Sequence, residues 1–172
     1  MNLSTWVTLS RLFVLPFIFY WLQTPTPLNR WWSLVFFLIG ALTDWLDGYL
    51  ARRLDQVTEL GKVLDPLVDK LVVLGTLIAL VELRQVPAWG VFLILTRELM
   101  IAGWRVNPQL KKSSVIMGAN HWGKGKTVVQ LLAIALLLAP LPELKLVAAV
   151  AFWFSVALTW ISGLMYLWGQ EA

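Results

Sequence analysis

The feature that most constrains the fold of this chain is a regular series of hydrophobic stretches. Each is close to the length at which an α-helix spans the hydrocarbon core of a bilayer, about 20 residues. Hydrophobic residues form 59% of the chain, whereas a soluble domain contains about 45–50%. The sequence therefore predicts an all-α integral membrane protein with six transmembrane helices, at residues 12–23, 32–51, 62–82, 87–105, 123–140 and 144–168.

The N-terminal segment is expected to be retained and to lie at the membrane surface. Met1–Arg11 mixes polar and apolar residues, which is typical of a short amphipathic surface helix. The apolar run near Pro16 is not followed by a small-residue cleavage site of the kind that ends a signal peptide. Because no repeat or appended soluble domain is visible, we expect residues 1–172 to form a single membrane domain.

Lysine and arginine residues are distributed unevenly between the two sets of turns. The alternate turns hold only Arg30, Arg84 and Lys145. The other set is richer and comprises Arg11, Arg52, Arg53, Lys62, Arg105, Lys111, Lys112, Lys124 and Lys126. Basic residues accumulate on the cytoplasmic side of membranes, so the richer set and both chain termini are predicted to be cytoplasmic. We expect these side chains to meet membrane lipids and not nucleic acid.

Four of the ten acidic residues lie within apolar helical sequence, at Asp44, Asp47, Asp65 and Asp69. A charge at such a position costs about 2.5–3.5 kcal/mol on membrane-insertion scales, so the four need compensation. Ion pairs with neighbouring Arg or Lys residues would explain one or two of them. They explain four at this spacing poorly.

The spacing of the aspartates places them on two helical stripes. Asp44 and Asp47 stand at i and i+3 of one predicted helix, and Asp65 and Asp69 stand at i and i+4 of the next. At about 1.5 Å per residue, Asp44 and Asp69 both lie about 12 Å from the connecting turn. The four carboxylates are therefore predicted to converge at matched depths, near the cytoplasmic surface. Oxygen ligands without His or Cys favour Mg²⁺, Mn²⁺ or Ca²⁺ over zinc.

The segment Asp44–Asp69 resembles the signature of the CDP-alcohol phosphotransferases. That signature reads D-x-x-D-G-x-x-A-R, eight residues, and then G-x-x-x-D-x-x-x-D. Its fixed positions are all occupied here, by Asp44, Asp47, Gly48, Ala51, Arg52, Gly61, Asp65 and Asp69. The resemblance implies a bundle of six membrane helices with an N-terminal surface helix, assembled as a homodimer.

The resemblance also implies a role for each signature residue. Asp44, Asp47 and Asp65 would hold two divalent cations, Mg²⁺ or Mn²⁺, and Asp69 would join the metal site and act as general base. Gly48, Ala51, Arg52 and Gly61 would bind the CDP portion of a lipid donor, CDP-diacylglycerol. An acceptor hydroxyl would then attack the lipid-side phosphorus, and CMP would leave.

A second group of basic residues bears on the identity of the acceptor. Arg97 and Arg105 lie two helical turns apart in the fourth span, and Lys124 and Lys126 open the fifth. Together they are predicted to form a cytoplasmic anion pocket beside the aspartates. In the alternative reading, the basic residues of the loop only set topology and contact lipid headgroups. Arg97 lies inside a span and needs an anionic partner, for which Glu98 or an aspartate would suffice.

This half of the chain is similar to the bacterial phosphatidylglycerophosphate synthases of the same family. The shared marks are Arg97-Glu98, Arg105, Ser113-Ser114-Val115 and the segment Gly123–Thr127 (GKGKT). They imply sn-glycerol 3-phosphate as the acceptor, with Arg97, Arg105, Lys124 and Lys126 holding its phosphate. The similarity also implies location in the bacterial inner membrane, with the active site facing the cytoplasm.

Other functions stay open at this point. The same chemistry with another acceptor would describe a cardiolipin synthase or an inositol-phosphate enzyme of this family. A cation transporter would use the aspartates as a transport site, but transporters place such sites near the bilayer midplane, between repeated halves. A noncatalytic membrane scaffold would leave the cost of burying the aspartates unexplained.

Overall fold

The computed structural model describes residues 10–54, 59–106 and 121–168, and within them the side chains of residues 10–43, 67–68, 70–103 and 125–165. These ranges contain helices and turns, without a β-strand. The helices are α1 (Val14–Leu22), α2 (Pro27–Leu54), α3 (Glu59–Glu82), α4 (Ala88–Val106), α5 (His121–Leu138) and α6 (Lys145–Trp168). A 3₁₀ turn, Pro142–Leu144, leads into α6. The predicted all-α class is confirmed for the part of the chain that the structure describes.

Each predicted hydrophobic stretch coincides with one helix, although α2 begins five residues earlier than its apolar run, at 27 instead of 32. Local chemistry explains the early start. Pro27 occupies the first helical position, where its missing N–H costs nothing. The Oγ1 of Thr26 accepts a hydrogen bond from the backbone N–H of Asn29 at 3.2 Å, so Thr26 caps the helix.

The helices pack into a bundle with a continuous hydrophobic core. The interior is formed by fully buried side chains from all six helices, including Ile18, Phe37, Leu77, Leu80, Ile94, Ile134, Leu138 and Phe152. Two glycines permit close helix contacts. A Cβ atom at Gly75 would lie 2.7 Å from Leu15, and one at Gly90 would lie 2.8 Å from the ring of Phe152. These positions therefore let α1 approach α3 and α4 approach α6.

Large apolar side chains also cover the outside of the bundle. Leu42, Ile78, Phe92 and Phe154 are each more than half exposed and lie on four different helices. Among the described residues, one segment is long and apolar enough by itself to cross a membrane, Pro142–Met165, which contains an 18-residue window with a mean hydropathy of 1.9. Ser10–Leu22 and Gly125–Leu138 are shorter apolar helices.

The connections divide the bundle into two ends. The short-turn end carries residues 23–26, 83–87 and 139–144, which join α1 to α2, α3 to α4 and α5 to α6. The opposite end, the signature end, carries the second half of α2 and the first half of α3. Of the predicted surface helix Met1–Arg11, residues 1–9 lie outside the described residues, and Ser10 and Arg11 belong to a helical turn before α1.

Candidate active site

The backbone of the aspartate signature is helical on both sides of its turn. Asp44 and Asp47 lie in the second half of α2, and Asp65 and Asp69 lie in the first half of α3. The two helices contact each other. The backbone is therefore helical at both pairs of aspartates. The spacings i and i+3 on α2 and i and i+4 on α3 place each pair on one face of its helix.

The side chains of all eight signature residues lie outside the described residues. Their convergence and their roles stay predictions. Among the residues described, no group of three or more metal-ligating side chains occurs. The donor set itself fits a hard divalent cation, because it consists of four carboxylates on two continuous helices that are in contact.

The structure describes a buried ionic cluster next to the signature, centred on Glu98 of α4. Lys126 of α5 donates a hydrogen bond to Glu98 Oε1, and Arg97 Nη1 donates to the same oxygen at 3.1 Å. Lys70 Nζ, one residue beyond Asp69 on α3, lies 3.4 Å from Glu98 Oε2. Glu98 is 8% exposed and Lys126 is 6% exposed. Three cations from three helices thus share one carboxylate, which leaves the described cluster with a surplus of positive charge.

Helix α6 fixes the position of Arg97. Arg97 Nη2 donates a hydrogen bond to Ser162 Oγ at 2.9 Å, and Ser162 Oγ donates to the carbonyl of Thr159 at 3.0 Å. The guanidinium crosses α6 at Gly163, where a Cβ atom would lie 3.1 Å from Arg97 Nε. Arg97 Nε is buried and has no hydrogen-bond partner among the described residues. The guanidinium is therefore held in place between Glu98 and α6.

The structure brings together two of the four residues predicted to hold the acceptor phosphate. Arg97 and Lys126 meet through Glu98, which confirms that Arg97 has an anionic partner inside the bundle. Arg105 and Lys124 lie on α4 and α5, but their side chains are outside the described residues.

Two members of the cluster were not predicted from the sequence, Lys70 and Ser162. Lys70 carries a signal that was available, because a lysine within an apolar helix needs a partner just as Arg97 does. Ser162 carries none, since a serine in a membrane helix usually bonds to its own backbone.

Comparison with known proteins agrees with the signature. The family model for CDP-alcohol phosphatidyltransferase matches residues 1–161. A Bacillus subtilis (strain 168) protein named CDP-diacylglycerol–glycerol-3-phosphate 3-phosphatidyltransferase is 38% identical over 182 residues, covering 96% of this chain and 93% of the relative. Proteins of the same name are 34% identical in Rickettsia bellii (96% and 93% covered) and 32% identical in Haemophilus influenzae (98% and 89% covered).

Proposed function

Because the chain belongs to the CDP-alcohol phosphatidyltransferase family, we propose that it transfers the phosphatidyl group of CDP-diacylglycerol to sn-glycerol 3-phosphate. The products are phosphatidylglycerol phosphate and CMP. The observation that carries this assignment is the identity of 32–38% to relatives named for that reaction, over at least 96% of this chain. The basic cluster around Glu98 supports the choice of a phosphate-bearing acceptor.

In this proposal the aspartate signature binds the donor, CDP-diacylglycerol. Asp44, Asp47, Asp65 and Asp69 hold two divalent cations, Mg²⁺ or Mn²⁺. When bound, such cations neutralise phosphate oxygens and stabilise the charge that develops during in-line displacement. Gly48, Ala51, Arg52 and Gly61 lie beside the CDP portion. The glycines permit close approach of the backbone, and the arginine meets anionic oxygen.

Asp69 serves as the general base. Its carboxylate accepts the proton of the acceptor's primary hydroxyl as that oxygen attacks the lipid-side phosphorus of the donor. One P–O bond forms to the acceptor, and the P–O bond to the bridging oxygen breaks, so that CMP leaves with the electron pair. Lys70 follows Asp69 on α3 and contacts Glu98 of the basic cluster. The position of Asp69 next to Lys70 in the chain therefore supports a general base close to the proposed acceptor site.

Arg97 and Lys126, with Arg105 and Lys124, bind the phosphate of the acceptor. In the described cluster Glu98 neutralises one of three cationic side chains, Lys70, Arg97 and Lys126. A phosphate dianion beside this cluster would balance the two remaining charges.

The proposal places the bundle across a membrane, with six spans and both termini on the cytoplasmic side. Exposed apolar side chains on the outer surface of four helices support this placement, as does the apolar helix within Pro142–Met165. The named relatives are bacterial, so the bacterial inner membrane is the proposed location, with the signature end facing the cytoplasm. We expect one domain over residues 1–172, surrounding lipids as partners, and a homodimer.

Release of CMP by the purified protein tests the proposal. The assay contains detergent, CDP-diacylglycerol, Mg²⁺ or Mn²⁺, and one acceptor at a time, either glycerol 3-phosphate, phosphatidylglycerol or inositol phosphate. We expect release that requires glycerol 3-phosphate, is abolished by chelation, and is lost in Asp69→Asn.

The other outcomes discriminate between the alternatives. Release with phosphatidylglycerol or inositol phosphate would keep the chemistry and contradict the acceptor. Full release by Asp69→Asn would contradict the base. No release with any acceptor, from folded protein that binds Mn²⁺, would contradict the enzyme and favour a cation transporter.

A further inference from the structure

A cleft opens at the short-turn end of the bundle, opposite the aspartate signature. Its volume is about 420 Å³, within the range of small-molecule sites, about 300–1,000 Å³. It lies between the start of α2, the turn after α3, the end of α5 and the start of α6. Its polar lining is Arg30, Arg84, Gln85 and Lys145, and leucine, alanine and proline residues form the rest.

The cleft gathers all the basic residues of this end. Arg30, Arg84 and Lys145 are the only lysine or arginine residues in the three short turns and the helix ends beside them, and all three line the cleft. The acidic residues of the same end, Glu82 and Glu143, are exposed and do not line it. None of the three cations forms an ion pair with a carboxylate among the described residues. The cleft is therefore electropositive.

Arg84 occupies a backbone position that glycine would fill more easily. It is the only non-glycine residue with positive φ among those described, at 54°. It ends α3 in a Schellman motif, in which its N–H donates to Val81 O and the N–H of Gln85 donates to Leu80 O, both at 2.9 Å. A left-handed conformation is unfavourable for a residue with a Cβ atom. The strain points to a use for the arginine side chain.

Arg30 and Lys145 are placed by the ends of helices. Arg30 bonds to the carbonyls that end α5, with Nη2 2.6 Å from Leu137 O and Nε 3.2 Å from Leu138 O. Lys145 begins α6, where the partial positive charge of a helix N-terminus disfavours a cation. An anion in the cleft would relieve the repulsion at Lys145 and would meet a guanidinium that is already immobilised.

We propose that this cleft binds the phosphate of an anionic phospholipid from the membrane surface around the protein. The cationic lining selects for a phosphate, and the apolar and proline lining fits the glycerol and first methylene groups of a lipid better than a hydrated free phosphate. No carboxylate lines the cleft to receive the ammonium group of a zwitterionic lipid. The proposal rests on the membrane placement proposed above and not on the reaction, because the cleft is at the other end of the bundle.

Native mass spectrometry of the detergent-purified full chain tests the site. The protein is mixed with phosphatidylglycerol and phosphatidylcholine of matched acyl chains, with and without millimolar inorganic phosphate. The variants are Arg84→Gln/Lys145→Gln and, as the matched control at the same end, Glu82→Gln/Glu143→Gln. Melting temperature and CMP release are measured for each variant to verify folding.

We expect the wild type and the glutamate control to retain phosphatidylglycerol over phosphatidylcholine. Loss of two cations should weaken the retention roughly 10- to 30-fold, at about fivefold per cation. Equal retention by the Arg84→Gln/Lys145→Gln variant would overturn the proposal, as would equal retention of the two lipids by the wild type. Displacement of the lipid by phosphate in the millimolar range would overturn the assignment to a lipid. CMP release reports on the proposed reaction separately, so the two proposals fail by different measurements.

Discussion

Glu98 of α4 accepts a hydrogen bond from Lys126 of α5, and both side chains are buried in the bundle. Arg97 and Lys70 contact the same carboxylate, so Glu98 ties α3, α4 and α5 together next to the aspartate signature. The carboxylate also keeps the cations of the proposed acceptor site near one another before the acceptor arrives. This preorganisation reduces the cost of ordering long basic side chains on binding.

Replacement of Glu98 by glutamine should destabilise the protein. Glutamine keeps the shape of the side chain but leaves buried cations without a counter-charge, and removal of one partner of a buried pair costs about 3–5 kcal/mol. Thermal unfolding in detergent measures the loss. Glycerol 3-phosphate should raise the melting temperature of Glu98→Gln more than that of the wild type, because the phosphate replaces the missing charge.

The control for this change is Glu82→Gln, an exposed glutamate at the other end of the bundle, which should alter stability by no more than about 0.5 kcal/mol. A Glu98→Gln protein that is as stable as Glu82→Gln would contradict the structural role of the carboxylate. An equal effect of glycerol 3-phosphate on wild type and variant would contradict its link to the acceptor site.

Replacement of Lys126 by methionine should weaken binding of the acceptor while leaving the donor site intact. A charge-assisted hydrogen bond contributes about 1.5–3 kcal/mol, so KM for glycerol 3-phosphate should rise roughly 10- to 150-fold. KM for CDP-diacylglycerol should stay near the wild-type value. CMP release at varied acceptor and then at varied donor measures both constants. Arg84→Met serves as the control, because it removes a cation from the opposite end of the bundle and should change neither KM value. Equal rises in both KM values for Lys126→Met would show a general loss of folding instead of a weaker acceptor site.

Gly163 should be intolerant of even a methyl group. A Cβ atom there would lie 3.1 Å from Arg97 Nε and 3.2 Å from Arg97 Cγ, and the guanidinium cannot retreat without loosening its bonds to Glu98 and Ser162. We expect Gly163→Ala to cost about 1–3 kcal/mol of stability, as overpacking does, and to raise KM for glycerol 3-phosphate.

Gly103 provides the matched control for Gly163. It also lies in a helix, but a Cβ atom there would meet nothing within 4 Å, so Gly103→Ala should stabilise α4 by about 0.5–1 kcal/mol. Thermal unfolding and acceptor kinetics of the two alanine variants, measured side by side, check the expectation. Similar behaviour of both would show that α6 does not hold Arg97 at Gly163.

Much of the fold was predictable because apolar runs and proline-bearing turns act locally. The run at residues 87–105 and the helix Ala88–Val106 differ by one residue at each end. The early start of α2 was missed because it depends on the cap that Thr26 forms, a polar interaction outside the apolar run. Whether each helix crosses the membrane stays a prediction, since hydropathy alone identifies one such segment in the described part of the chain.

The candidate site was predictable only in part. Arg97 was expected to need an anionic partner because it lies inside an apolar helix, and the structure shows Glu98 in that place. Lys126 contacts the same carboxylate, but the binding of the acceptor phosphate by Arg97 and Lys126 stays a prediction. The contacts of Lys70 and Ser162 depend on how α3 and α6 pack on α4, which no local pattern encodes. The cleft of Arg30, Arg84 and Lys145 has the same origin, because 115 residues separate the first of these from the last and only the packing of four helices brings them together.

Arg84 offers a test in which stability and binding should change in opposite directions. Glycine adopts the left-handed conformation without the penalty that a Cβ atom brings, about 1 kcal/mol or more, so Arg84→Gly should raise the melting temperature by about 2–4 °C. The same change removes a cation from the cleft and should weaken retention of phosphatidylglycerol about fivefold. Arg84→Ala separates the two effects, because it removes the cation but keeps the Cβ atom. It should lose the lipid to the same extent without the gain in melting temperature. If Arg84→Gly retained the lipid as well as the wild type does, the strain at Arg84 would have no connection with binding in the cleft.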